Sequence, residues 1–206
     1  MLAIVKALGG TNITSALEPT PAVEPPEWEY SLWTAYYLAQ HGRDYMNPSV
    51  TADHGWLHLE ARYNYEALKT GSFWIGYNFM TGKKLTIEAM PMLGGVFGDI
   101  TGIAPGYTIT LAYGPVELYT QGEYFFDAGT RDNNYFYTWS ELSCKPSRWF
   151  RVGLVVDRSK ASGDAFDIRR GPLVGFDYKK VDFTTYWLSP GQKASTIIFA
   201  VTINFP

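Results

Sequence analysis

Between His54 and Glu66 the chain alternates residue by residue. Gly55, Leu57, Leu59, Ala61, Tyr63 and Tyr65 fall on one face, and His54, Trp56, His58, Glu60, Arg62, Asn64 and Glu66 on the other. A strand sends successive side chains to opposite sides, so this spacing predicts a period-two strand with one apolar and one charged face. The apolar face ends in two tyrosines, and the polar face carries both signs of charge. A strand with lipid on one side, a polar lumen on the other and amphipathic rings at the membrane boundary has these features. An antiparallel strand with a soluble core on one face and water on the other alternates in the same way. The rest of the chain has to separate the two.

Similar segments follow one another from Trp28 onward. Trp28 to Gln40 puts Trp28, Tyr30, Leu32, Tyr36 and Leu38 on one face, and a polar loop with His41, Arg43, Asp44, Asn47 and Pro48 leads to the His54–Glu66 strand. Phe73 to Met80 aligns Phe73, Ile75, Tyr77 and Phe79. After a Thr81-Gly82 turn, Leu85 to Leu93 aligns Leu85, Ile87, Ala89 and Leu93. The Gly-rich stretch 94–106 reads as a short strand, Val96 to Ile103, between turns at Gly94-Gly95 and Pro105-Gly106. Tyr107 to Tyr113 is aromatic, apolar, apolar, aromatic on one face. Val116–Phe126, Asn134–Ser143 (aromatic on both faces), Trp149–Asp157, Arg169–Tyr178, Val181–Ser189 and Ser195–Phe205 complete the series. No helix with a cap and an apolar stripe is evident.

From residue 107 on, the junctions alternate: short at 114–115, longer at 127–133, short at 145–147, long at 158–168, short at 179–180, longer at 190–194. Bacterial membrane barrels have short periplasmic turns and longer outer loops, and they hold an even number of strands. Eleven segments are clear. Admitting Val96–Ile103 gives twelve and starts the barrel on the periplasmic side, whereas dropping Trp28–Gln40 gives ten. The expectation is an all-β, single closed antiparallel transmembrane barrel of twelve strands, with ten as the alternative.

Composition fits. Charged residues are 18% and aromatics 17% of 206 residues, as β structure and interfacial aromatic belts favour. A net charge of -3 offers no basic patch for nucleic acid. The single Cys144 forms no internal disulfide, and no Cys/His spacing suggests zinc. No apolar run reaches the roughly 20 residues of a membrane helix, which leaves a closed barrel open. Residues 1–27 are expected to be a Pro-rich periplasmic segment, stiffened by Pro19, Pro21, Pro25 and Pro26. The apolar piece Leu2–Leu8, broken by Lys6, makes a poor export signal and points to an incomplete start.

The last strand carries Ile197, Phe199, Val201, Ile203 and Phe205 on one face. This resembles the C-terminal signature of bacterial outer-membrane β-barrel proteins, porin-like in character. In that family, alternating apolar residues with a final aromatic are similar to the signal read by the barrel-assembly machinery. The resemblance implies outer-membrane localisation in a Gram-negative bacterium and contact with outer-membrane lipid. Pro206 departs from the pattern by displacing Phe205 from the terminus.

With the apolar faces outward, the lumen is expected to receive His58, Glu60, Arg62, Glu66, Glu88, Glu117, Glu123, Glu141, Arg151, Asp157, Arg169, Asp177 and Asp182. Two uses are open: a structural charge network filling a narrow barrel, or a constriction that filters small polar solutes. His58, Glu60, Arg62, Glu117, Glu123, Arg151, Asp157 and Arg169 are the pore-lining candidates. An outer-membrane lipid hydrolase or acyltransferase would need a serine held by His54 or His58 and an orienting carboxylate, and no serine lies in a recognisable nucleophile motif. Four residues apart on one strand, the two histidines would be roughly 13 Å apart, too far for one metal ion. No cofactor is expected. The remaining alternative is a soluble lipocalin-like barrel, with apolar faces inward around an apolar ligand.

Overall fold

The computed structural model describes residues 27–40, 43–129 and 133–205; the Pro-rich segment expected over residues 1–27 lies almost wholly outside them, as do His41 and Pro206. Thirteen strands follow in order: β1 (Glu29–Ala39), β2 (Tyr45–His54), β3 (Leu57–Tyr63), β4 (Thr70–Tyr77), β5 (Phe79–Thr81), β6 (Leu85–Gly98), β7 (Gly102–Tyr113), β8 (Val116–Asp127), β9 (Tyr135–Ser147), β10 (Phe150–Ala161), β11 (Asp167–Tyr178), β12 (Val181–Leu188) and β13 (Thr196–Phe205). All pairings are antiparallel between neighbours. β4 and β5 pair with the same strand, β6, at successive heights and so share one wall position. The sheet closes where β1 pairs with β13, from Tyr30 opposite Phe205 to Ala39 opposite Thr196. The result is a closed twelve-position barrel.

The short connections, at 55–56, 114–115, 148–149 and 179–180, cluster at one end, together with the start of β1 and the end of β13. The longer ones, at 64–69, 128–134, 162–166 and 189–195, cluster at the other, together with the three-residue connection 99–101. The first is the turn end of the barrel and the second its loop end.

The outer face is apolar. Phe73 is 65% and Leu154 62% exposed, and Ile75, Leu93, Ile103, Phe176 and Phe199 also face outward. An apolar band around a closed barrel is a lipid-facing surface. The soluble lipocalin-like alternative required these faces inward, and the structure overturns it.

The expected total of twelve was reached through two local errors that cancel. Tyr45–His54 was read as loop because of Asn47 and Pro48, yet it is β2. Pro48 opposes Thr34 of β1, while β3 joins β2 only from Ser49, so the proline sits where the strand is paired on one side. Conversely, Val96–Ile103 is no separate strand. Gly94 and Gly95 lie inside β6, and Pro105 and Gly106 inside β7. Gly94 and Gly106 make room rather than turns: a Cβ on Gly94 would stand 2.5 Å from the Trp74 indole, and one on Gly106 3.0 Å from it.

The His54–Glu66 strand is also shorter than its alternation suggested. Gly55, at φ 58°, begins a tight turn, so His54 ends β2 and His58 lies in β3. His54 stacks on Trp28 at 4.9 Å, while His58 is buried on the inner side. The two histidines therefore do not share a face. Beyond Tyr63 the chain leaves the wall, and Tyr65 and Glu66 fold inward.

Candidate functional site

Every second residue of each wall strand points into the bore, and two charged nodes form there. The first is built on Arg62. Its side chain, 5% exposed, donates to Glu60 at 2.7 Å and to Glu123 at 3.3 Å. Glu123 belongs to β8, four wall positions from β3, so this contact crosses the bore. The guanidinium also lies 4.5 Å from the Tyr65 ring and 4.3 Å from Trp74, with Glu66 3.9 Å away. A delocalised, weakly hydrated guanidinium can pair with carboxylates and stack on rings at once, which an ammonium does poorly.

The 64–69 connection completes this node. Glu66 accepts from the Ser72 hydroxyl at 2.6 Å and the Trp74 indole at 3.2 Å. Tyr65 is hydrogen-bonded through its hydroxyl to Gln121 of β8, and its ring meets Trp33 of β1 edge-on at 6.3 Å and Tyr137 of β9 at 6.2 Å. One side chain from a loop thus touches three separate parts of the wall. The space left between Arg62, Tyr65, Gln121, Glu123 and Tyr137 is about 10 Å³, room for a single water at most.

The second node lies towards the turn end, on Arg151. It donates to Glu141 at 3.2 Å and to the Thr184 hydroxyl at 2.7 Å, with Asp182 at 3.8 Å. Glu141 also accepts from the Trp139 indole at 2.7 Å and the Tyr186 hydroxyl at 2.9 Å. Gly175, beside Arg151, leaves the guanidinium its space: a Cβ there would stand 3.1 Å from Nε.

The other candidates distribute around these two. Asp157 receives Arg169 at 2.5 Å between β10 and β11 near the loop end. His58 bonds Asp53 at 2.8 Å through Nδ1 and has Glu60 3.7 Å from Nε2, so carboxylates rather than a hydroxyl engage its ring. Glu117 sits on the inward side of β8, half-buried. Inward carboxylates outnumber guanidiniums: Glu60, Glu66, Glu123, Glu141, Asp157 and Asp182 face Arg62, Arg151 and Arg169, and Asp53 faces His58. No cluster of three metal-ligating side chains occurs among the described residues.

Two features were missed by sequence reasoning. One is the inward loop. Tyr65 continued the apolar alternation and was placed with Tyr63 on the outer face; Asn64 and Lys69, both at φ 57°, mark the departure from the wall, but backbone angles are not written in composition. The other is the aromatic content of the bore. Tyr37, Trp139 and Tyr186 are buried inside with Val155, Leu173, Leu188 and Ile198, and Trp74 and Phe125 with Met92 and Val96. The expected polar lumen is therefore a set of charged nodes embedded in apolar packing. Asn134–Ser143 already carried the signal: it read as aromatic on both faces, and Tyr135, Tyr137 and Trp139 indeed lie on the inner side with Phe136 on the outer.

The alternating apolar residues of β13 lie on the outer face, with Ile197, Phe199 and Phe205 exposed and Val201 and Ile203 half-buried.

No protein-family model matches the sequence, and no curated protein matches it. Solved structures do. The chain superposes on the KdgM porin with a TM-score of 0.60 at 8% identity, covering 85% of this chain and 99% of that one. The NanC porin gives 0.56 at 10% identity, with 86% and 99% covered. The Acinetobacter baumannii outer membrane protein Omp33 gives 0.52 at 8%, with 88% and 99% covered. The fold is that of a porin-like outer-membrane β-barrel. At these identities the likeness is one of architecture, and the side chains of the bore have to be read on their own. In this barrel Arg62 and Tyr65 reach across the bore, so it is not an open cylinder.

Proposed function

We propose that this protein resides in the bacterial outer membrane and is a narrow passive pore for small polar solutes, with its constriction at Arg62, Tyr65 and Glu123. The observation that carries the reading is the transverse Arg62–Glu123 pair inside a closed, lipid-faced barrel. Charges are costly to bury, and a barrel that only needed filling would be at least as stable with apolar residues. Charged groups facing across a bore are what a filter for hydrated solutes requires. Buried polar atoms without a hydrogen-bond partner, Arg62 Nε, Glu66 Oε2 and Arg151 Nε, lie at both nodes. Each offers a hydrogen bond to water or to a passing solute.

The surplus of inward carboxylates favours cations and neutral solutes over anions. One KdgM structure is a complex with an oligogalacturonate, an anionic sugar chain. The acidic bore of this protein argues against a solute of that charge. The remaining space at the constriction is too small for any solute, so passage requires the 64–69 connection to withdraw.

Planar-bilayer conductance of detergent-refolded protein tests this. The wild type is expected to conduct weakly with cation preference, and Tyr65→Ala combined with Glu66→Gln to raise conductance several-fold. Silence in both, with the barrel folded, would favour the second reading, a closed structural barrel, which the aromatic packing of the bore supports. Pore lining by Glu117 and Arg169, and recognition of Ile197, Phe199, Val201, Ile203 and Phe205 by the assembly machinery, belong to the same proposal.

A further inference from the structure

The outward positions of the described strands are apolar or aromatic almost throughout, and one region breaks the rule. Arg158 and Lys160 of β10 and Arg170 of β11 are the lysines and arginines at outward strand positions, and all three lie towards the loop end. No outward-facing carboxylate sits on these strands. Neither Arg158 nor Arg170 forms a side-chain ion pair among the described residues, whereas the three inward arginines are all paired.

A cleft of about 450 Å³ opens beside them on the same outer wall. Its floor is polar: Thr120 and Ser140 share a hydrogen bond at 2.9 Å, and Thr138 lies directly opposite Arg158 in the ladder. Its sides are Tyr107, Phe136, Phe166 and Ile168. Gly122 deepens it, since the Tyr107 ring lies where a Cβ would stand, 2.9 Å away. Lys160 extends over the Phe166 ring at 5.2 Å. A hydroxyl-lined recess with an arginine at its edge is costly against plain hydrocarbon. It suits a molecule with a charged head and an apolar tail.

We infer that this cleft is a binding site for an anionic, phosphate-bearing lipid of the loop-side leaflet. Arg158 and Arg170 hold the phosphate, Lys160 adds charge, and an acyl chain lies over Thr120 and Ser140 between the aromatic walls. Charge complementarity selects the occupant. The basic residues are confined to one flank of a surface that is otherwise neutral, and guanidiniums donate to phosphate in a bidentate fork. The inference rests on the membrane-barrel reading but not on conduction.

Native mass spectrometry of the detergent-refolded protein tests it, with phosphatidic acid and diacylglycerol as probes of equal chain length. Retained phosphatidic acid with little diacylglycerol is expected. R158Q/R170Q should lose about tenfold or more in occupancy, the scale of one lost charge-assisted contact. R148Q, in the turn at the opposite end, should bind as the wild type does. Equal retention of both lipids, full retention by R158Q/R170Q, or equal loss in R148Q would overturn the site. So would a dimer mass lost in R158Q/R170Q, which would place a second barrel there. A heat-dependent gel-mobility shift in each variant establishes that the barrel has folded. Its absence in the wild type would remove the membrane reading itself, whereas a normal shift without a lipid adduct would remove only the site.

Discussion

The two arginine nodes of the bore are built from similar parts and do different things. Arg151 of β10 joins Glu141 of β9 to Asp182 and Thr184 of β12, all on one arc of the wall. Arg62 joins Glu60 on its own strand to Glu123 across the bore, and the 64–69 connection closes over it. The first node lines the barrel and the second obstructs it. The difference arises from the connections: a turn such as 148–149 is too short to reach inward, whereas 64–69 has the length to return a tyrosine and a glutamate to the axis.

Breaking the two nodes should carry unequal costs, and the largest falls on Arg62. Arg62→Ala leaves Glu60, Glu66 and Glu123 close together without their cation and should destabilise the barrel by about 3–5 kcal/mol. Urea unfolding in micelles, followed by the gel-mobility shift, measures it. Arg62→Lys should recover only part, because a compact ammonium does not serve two carboxylates and two rings together. An Arg62→Ala barrel as stable as the wild type would mean that the transverse pair does not hold the structure.

Arg151→Gln should cost less, about 1.5–3 kcal/mol, the scale of a hydrogen bond to a charged group. Glu141 keeps its bonds from Trp139 and Tyr186 when the arginine is neutralised. Its clearer effect is on selectivity: removing a positive charge from an acidic bore should move the bilayer reversal potential further towards cations. Arg62→Gln should do the same and also alter conductance, because the proposed constriction is built on it. Unchanged reversal potentials in both variants would remove these arginines from the path of ions.

The sequence exposed one side of this wall far better than the other. An outer face that meets lipid is apolar along most of its length and repeats with period two, so Phe150, Val152, Leu154 and Val156 could be assigned outward from spacing alone. The bore has no such uniform rule. It accepts Arg62 and Trp139 alike, provided each meets a partner, and partners such as Glu123 stand 61 residues away in the chain. The same limit explains the glycines. Gly94 resembles part of a turn in the sequence because glycine is enriched both in turns and where another side chain needs the space. Only the position of Trp74 tells these uses apart. Closure and the end-to-end alternation of connections were legible because both depend on the number and length of segments. The inward 64–69 connection was not, because Tyr65 keeps the parity of Tyr63 in sequence while the backbone between them has already left the strand.

The smallest effect belongs to the third ion pair, Asp157 with Arg169, which tests whether position along the bore matters more than burial. Asp157 is buried as deeply as Glu123, at 4% side-chain exposure, yet its partner Arg169 is 28% exposed near the loop end. If burial of the carboxylate set the cost, Asp157→Asn would resemble a break in the Arg62 node. If what matters is that neither partner reaches water, the cost should fall to about 1 kcal/mol, because the released guanidinium can be hydrated. The second outcome is expected, with little change in conductance, since β10 and β11 are adjacent and their pair does not cross the bore. A double-mutant cycle with Arg169→Gln separates the two, because the coupling it measures excludes whatever each side chain loses on its own. A coupling as large as that between Arg62 and Glu123 would show that the loop-end rim, and not only the transverse pair, holds the bore in its closed arrangement.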